Sequence, residues 1–220
     1  MRGAAIYRVT AIAATALVFT GFARTFYLHA WFASRPLEAL YIAHGVVFTS
    51  WFVVLLAQVF LVASGRTDVH RRLGVVGGGV ALAMVVLGPL VALDAARHGM
   101  PLDFLATPLG DILVFAVLVG AALCFRKRRA IHSRLMLVAT IAILPPAIAR
   151  LPTDFFAGPV EVFGATDLFL IVVIAWDTIA QRRLHPAYVW GGLLLIVSHP
   201  LRIALAGTDT WLAVARWLVA

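Results

Sequence analysis

Residues 37–63 read LEALYIAHGVVFTSWFVVLLAQVFLVA, a run in which Glu38 is the only charged side chain. A helix needs about 20 consecutive apolar residues to cross the roughly 30 Å hydrocarbon core of a bilayer, so this run is long enough. Its apolar residues are continuous and do not alternate with a period of two, which favours a transmembrane helix over a strand of a membrane barrel. This stretch therefore predicts an integral membrane protein built of helices.

Six further apolar runs surround this one and extend the same prediction to the whole chain. They cover residues 6–23, 73–96, 109–125, 135–149, 160–180 and 188–206. The runs 109–125 and 135–149 are short, so the basic residues beside them have to extend toward the membrane surfaces. A last stretch, 208–220, is too short to span and predicts a surface helix. The sequence therefore predicts an all-α membrane protein with about seven transmembrane helices in one domain, 1–220, and a short C-terminal interfacial helix.

Composition supports this class and excludes others. Hydrophobic residues make up 63% of the chain and charged residues 13%, against about 45–50% and about 25% in a soluble domain. The net charge of +8 lies mostly in short stretches between the apolar runs, so we expect the lipid bilayer as a partner and no nucleic acid. Cys124 is the only cysteine, so no disulfide or Cys-x-x-Cys pair is possible within the chain.

Lysine and arginine are distributed unequally between the two sides that the runs define. Twelve of the 18, including Arg2 and the cluster 126–129, fall on the side of the N-terminus, and six fall on the other side. Cytoplasmic loops are richer in these residues. We therefore predict a bacterial inner membrane protein with a cytoplasmic N-terminus and a periplasmic C-terminus.

Three of the runs share a pattern that hydropathy alone does not require. Each opens with a histidine at the predicted cytoplasmic boundary, namely His70, His132 and His185. Each then contains proline, at Pro89, Pro145–Pro146 and Pro200, and an arginine near its outer end, at Arg97, Arg150 and Arg202. This spacing predicts helical hairpins repeated along the chain.

Two of these boundary motifs, His70-Arg-Arg-Leu-Gly and His132-Ser-Arg-Leu-Met, also carry a resemblance. Together with His44-Gly-Val-Val-Phe-Thr-Ser-Trp and Ser-His199-Pro-Leu-Arg202, they resemble a family of uncharacterised bacterial polytopic membrane proteins. The likeness runs over most of the chain. It implies a helical inner-membrane protein, and it implies no activity, cofactor or site residue.

Ionisable side chains inside a span are costly, so each should have a partner or a task. Those of this chain concentrate in the predicted outer half. The candidate ligand-binding residues are His44, Trp51, Asp111, Arg150, Asp167, His199 and Arg202. We expect them to form one network, in which Arg150 compensates Asp111 or Asp167.

His44 and His199 are the candidate metal ligands of this group. Two neutral imidazoles from different helices at one depth can hold one iron, so haem b is a possible cofactor, although the sequence does not determine its identity. Alternatively, each histidine forms a hydrogen bond that holds two helices together. A zinc or di-metal site with Asp111 and Asp167 has the ligand types, but the chain has no His-x-x-x-His or Glu-x-x-His spacing.

These residues predict an outward-facing polar pocket that binds a cofactor or small ligand, either haem, quinone or a small anion, with redox chemistry as one option. Two alternatives stay open. The first is a non-catalytic accessory subunit of a larger membrane complex, which would add other membrane subunits as partners. The second is a small transporter that uses the proline-broken helices. No catalytic residue is assigned, and whether the protein is an enzyme is left open.

Overall fold

A computed structural model describes residues 2–220, and the chain in this range is almost entirely helical, without strands. Met1 and the side chains of residues 1–4 lie outside the described part, including the Arg2 side chain of the charge count. The helices are α1 (Arg2–Gly21), α2 (His29–Phe32), α3 (Ala39–Ala63), α4 (Thr67–Arg97), α5 (Ala106–Cys124), α6 (Arg129–Ala142), α7 (Pro145–Ile148), α8 (Pro159–Gln181), α9 (Pro186–Ala206) and α10 (Asp209–Val219). A π-helical turn covers Ala23–Tyr27 and a 3-10 turn covers Asp154–Phe156.

Five of the helices in the described part are long and apolar enough to cross a membrane. These are α3, α4, α5, α8 and α9, each with at least 18 residues and a strongly apolar window. The predicted class of an all-α membrane protein is confirmed. In the residues whose side chains the structure describes, α1 contributes the shorter apolar helix Ala5–Gly21, and α6 has 14 residues.

The helix boundaries depart most from the apolar runs in two places. α4 begins at Thr67 and not at residue 73, so it includes His70 and the two arginines after it. An apolar run marks the part of a helix in hydrocarbon, and the helix itself continues into the headgroup region. The predicted span 135–149 is two helices, α6 and α7, with a break before Pro145. Pro145 and Pro146 both lack an N–H, so two successive backbone hydrogen bonds of a continuous helix are missing at the break, whereas the single prolines Pro89 and Pro200 lie inside α4 and α9.

The long helices form a ring around α6. In the order α1, α3, α4, α5, α9 and α8, each ring helix contacts the next, and α8 contacts α1. α6 contacts α1, α5, α8 and α9 from inside, and its residues 137–142 are at most 2% exposed. A helical segment that is apolar on all sides belongs in a core, and residues 135–142 of α6 form such a segment apart from Thr140. The second half of α6 is therefore surrounded by protein, whereas its first residues, 129–133, are partly exposed.

All long helices have one end on the same side of the bundle as α10, and we call this the α10 end. α1, α4, α7 and α9 finish there, and α3, α5 and α8 begin there. α10 lies against α4 at this end, where the Trp211 Nε1–H donates to the Leu102 carbonyl at 3.0 Å and Ala215 is fully buried. The predicted C-terminal helix is thus present as Asp209–Val219.

Candidate functional site

A cavity of about 550 Å³ lies at the α10 end, beside the break between α6 and α7. Its wall comes from the ends of α1, α4 and α7, from the π-helical turn, and from the beginnings of α3, α5 and α8. Seven phenylalanines dominate the wall: Phe22, Phe26, Phe48, Phe52, Phe104, Phe156 and Phe163. The interruption of the central helix at Pro145 leaves the space that these side chains surround.

His44 and Arg150 are two of the few polar side chains in this wall. His44 stands on the second turn of α3 and stacks on Phe48, with 4.0 Å between ring centroids. Its Nδ1 atom is buried and has no hydrogen-bond partner in the protein. Arg150 is exposed, donates one hydrogen bond to the Pro146 carbonyl at 2.8 Å, and lies 4.8 Å from the centroid of Phe22. It forms no ion pair with any residue that the structure describes, so its other donors are free for a ligand.

Asp111 also lines the cavity, and its partner is Arg202 of α9. The Arg202 guanidinium donates to Asp111 Oδ1, to the Thr107 carbonyl at 3.2 Å and to Ser198 Oγ at 3.0 Å. Asp111 is 3% and Arg202 7% exposed. The expected pairing of Arg150 with Asp111 or Asp167 is therefore wrong. Arg150 follows the α6–α7 break and turns toward Pro146, whereas Gly110 leaves room for Arg202 beside Asp111.

Asp167 contacts His199, and this pair lies behind the cavity wall. His199 Nδ1 and Asp167 Oδ1 are 2.8 Å apart, but the oxygen lies off the direction of an aligned hydrogen bond, so the contact is a polar one only. The His199 ring stacks on Phe163, with centroids 4.2 Å apart and planes 7° apart. Phe163 lines the cavity and His199 does not.

The structure therefore does not bring His44 and His199 into one cavity, as an iron shared by the two rings requires. In the described residues, no three His, Cys, Asp or Glu side chains converge on a metal position. His44 lines the cavity alone among the histidines that we singled out.

The structure places Trp51 outside the cavity wall. It is 3% exposed, its Nε1–H donates to Thr140 Oγ1 of α6 at 3.3 Å, and it meets the Phe115 ring edge-on at 5.0 Å. Trp51 lies about two helical turns below His44, which brings it beside the central helix. Its visible role is to connect α3 with α6.

Sequence reasoning missed most of the aromatic residues of the wall, although Tyr41 shares the polar stripe of His44 on α3. Tyr41 donates to Asp94 Oδ2 at 2.9 Å, and Tyr27, on the π-helical turn, stacks on Phe19 with centroids 4.5 Å apart. The aromatic-rich segment 22–32, directly after α1, is a sequence signal for three of them, Phe22, Phe26 and Tyr27.

The three boundary histidines stand at the starts of their helices, opposite the α10 end, and they make different contacts. His132 Nδ1 lies 2.8 Å from the Ala122 carbonyl, while His185 Nδ1 accepts the backbone N–H of Ala187 at 3.1 Å and so caps α9. Burial, followed by the charges of Arg134 and Arg183, lowers the pKa of His185. His70 lies in the first turn of α4. Their common spacing is thus not matched by a common set of partners.

The chain matches no model of a protein family, no curated protein and no solved structure with which we compared it. The resemblance to a family of bacterial polytopic membrane proteins stays a prediction. The evidence for a function therefore lies in the chemistry of the cavity itself.

Proposed function

We propose that this protein binds a quinone-type molecule in the cavity at the α10 end. The observation that carries the proposal is an aromatic cavity whose wall includes an unpaired arginine, Arg150, and a histidine, His44. Ligand sites of about 300–1,000 Å³ are typically apolar with a few placed polar groups, and this cavity fits that description. The carboxylate of Asp111 is already paired with Arg202, so it does not oppose a ligand that accepts hydrogen bonds.

A quinone ring matches these features in shape and in polarity. It is planar, so it packs against phenylalanine rings in stacked or edge-on geometry. It carries two carbonyl oxygens, which accept hydrogen bonds from a guanidinium or a neutral imidazole. Arg150 is the charged donor of the wall without an ion pair, and the His44 ring is a further polar group of the wall.

The other two ligand classes fit the wall less well. A haem held by two histidines needs a second imidazole in the cavity, and His199 is separated from it by Phe163. A small anion needs several hydrogen-bond donors to replace its hydration, and most of this wall is apolar. Of the three ligand classes, quinone is the one that matches both the aromatic rings and the few polar side chains of the wall.

The placement of the chain in the membrane is part of the same proposal. We take α1, α3, α4, α5, the pair α6–α7, α8 and α9 as seven crossings of a bacterial inner membrane. Residues 129–148 cover about 30 Å at a rise of 1.5 Å per residue, enough for the central crossing. The excess of basic residues on the other side supports an outward-facing α10 end and a cytoplasmic N-terminus. The repeated hairpins rest on sequence spacing alone.

The first experiment asks what the purified protein carries. The protein is purified in mild detergent, its absorption spectrum is recorded, and its bound lipids are extracted and identified by mass spectrometry. We expect quinone in an amount comparable to the protein. His44→Phe should reduce that amount, because it removes a polar group of the wall. The matched control is His98→Phe, since His98 is exposed at the same end and does not line the cavity.

Two outcomes contradict the quinone assignment. A Soret band that disappears in His44→Phe would identify haem as the ligand. Phospholipid alone in both wild type and variant would show that no quinone is held, and the accessory-subunit interpretation would then replace the proposal.

A further inference from the structure

An apolar groove of about 450 Å³ lies beside the cavity, on the surface of α3 and α4. Its wall is formed by valines of the two helices: Val46, Val53, Val54, Val76 and Val80. Val53 is 56% and Val76 is 55% exposed, so the groove faces the surroundings of the bundle. Phe26, Tyr27 and Thr49 line both the groove and the cavity. The two spaces are therefore adjacent and share these three side chains.

The groove offers no free polar group to an occupant. Its three hydroxyl groups are already bonded inside the protein. Ser50 Oγ donates to the Val46 carbonyl at 2.8 Å, and Thr49 Oγ1 donates to the Gly45 carbonyl at 2.6 Å. The Tyr27 hydroxyl, 2.8 Å from Thr49 Oγ1, then donates to that oxygen. An apolar occupant fits this surface, because it makes van der Waals contacts with the valine side chains and leaves no polar atom unpaired.

The direction of the groove matches a molecule whose head lies in the cavity. His44 and Val53 are nine residues apart on α3, which corresponds to about 14 Å along the helix axis. Val76 and Val80 lie in the first half of α4, away from the α10 end. The groove therefore runs along the outer surface of α3 and α4, from the polar part of the cavity toward the mid-length of these helices.

We infer that the ligand is a quinone with an apolar hydrocarbon tail, held with its ring in the cavity and its tail in the groove. The tail passes Phe26, Tyr27 and Thr49, the side chains that border both spaces. Phe26 and Tyr27 belong to the π-helical turn Ala23–Tyr27, and such turns occur frequently at functional sites. This inference rests on the proposed function, and it adds the class of ligand and the path by which it reaches the cavity from the bilayer.

The test compares two quinones with the same ring, one without a tail and one with a short isoprenoid tail, bound to purified protein in detergent. Val53→Trp fills the groove, and Val75→Trp is the matched control, since Val75 is 78% exposed on α4 outside the groove. We expect Val53→Trp to weaken binding of the tailed quinone by about tenfold, as the loss of about ten carbon–carbon contacts of about 0.1–0.2 kcal/mol each would. The affinity for the tail-less quinone should stay unchanged, and Val75→Trp should change neither. Partition of the tailed quinone into micelles is the same for all variants and cancels in this comparison.

The failure of the inference is distinguishable from the failure of the proposed function. Equal affinities of wild type and Val53→Trp for the tailed quinone would place the tail elsewhere and leave the groove to ordinary bilayer lipid. If Val53→Trp and Val76→Trp each abolished binding of both quinones, the groove would not act as a separate tail site. If the wild type bound neither quinone, the proposed function itself would be wrong.

Discussion

Arg202 of α9 is paired with Asp111 of α5, and both residues are more than nine-tenths buried. This pair joins two neighbouring ring helices at the wall of the cavity. Removing one partner of a buried ion pair leaves the other charge uncompensated and costs about 3–5 kcal/mol. Arg202→Gln should therefore lower thermal stability in detergent strongly, and adding Asp111→Asn should restore part of the loss.

Arg150→Gln is the matched control for this prediction, because Arg150 lies at the same end of the bundle without an ion pair in the described part of the chain. Its effect on stability should be small. If the two arginine variants lost equal stability, or Arg202→Gln lost none, the pairing described here would be incorrect.

Gly110 makes the close approach of Arg202 possible. A Cβ at position 110 would clash with the Cδ of Arg202 and would lie 3.0 Å from the Cγ of the same arginine. Gly110→Ala should displace the arginine and lower the free energy of unfolding by about 1–3 kcal/mol, as overpacking does. Gly120→Ala on the same helix has open space at its Cβ and should be neutral or slightly stabilising. Equal melting temperatures of the two variants would argue against the tight contact.

His185 should make the stability of the protein depend on pH. Its Nδ1 accepts the Ala187 N–H only when the ring is neutral, and burial with the nearby charges of Arg134 and Arg183 lowers its pKa. The unfolded chain therefore binds this proton more readily, and stability is lost as the pH falls below 6.5 toward the lower folded pKa. His185→Asn keeps a capping oxygen that does not titrate, so it should flatten the curve of melting temperature against pH. The pH-dependent part of the stability that it removes should be about 1 kcal/mol, the contribution of a helix cap. Parallel curves for wild type and variant would contradict this account.

Reporter fusions test the proposed orientation. A reporter that is active only in the periplasm should be active after Ala220 and inactive when inserted at Arg128, in the cluster of basic residues between α5 and α6. Positive residues are retained on the cytoplasmic side. The opposite pattern at either position would overturn the seven-crossing arrangement.

Hydropathy was sufficient to predict the helical class but not the arrangement of the helices. Residues 37–63 face their surroundings over much of α3, whereas residues 137–142 of α6 are buried in protein. Both stretches are apolar, because apolar side chains are favoured both in contact with lipid and in a protein core. The central position of α6 therefore leaves no mark in the sequence beyond its shortness and the prolines that end it.

The candidate site was predicted in part for the same physical reason. His44, Asp111 and Arg150 were recognisable because ionisable groups are costly inside a membrane, and all three line the cavity. Their partners depend on local space, such as the room that Gly110 leaves for Arg202, and the sequence does not state this. Phe163 and the other wall phenylalanines look like any lipid-facing residue until the fold places them around a cavity.

The most direct test of the central proposal is a titration of purified protein with a tail-less quinone, carried out for the wild type, Arg150→Gln and Arg97→Gln. Arg97 is an exposed arginine at the same end that donates to the Val219 carbonyl and lies outside the cavity wall. We predict saturable binding to the wild type, unchanged affinity in Arg97→Gln, and at least about tenfold weaker binding in Arg150→Gln, since a hydrogen bond from a charged donor contributes about 1.5–3 kcal/mol. Absence of saturable binding, or the same affinity in Arg150→Gln as in the wild type, would contradict a quinone site in this cavity.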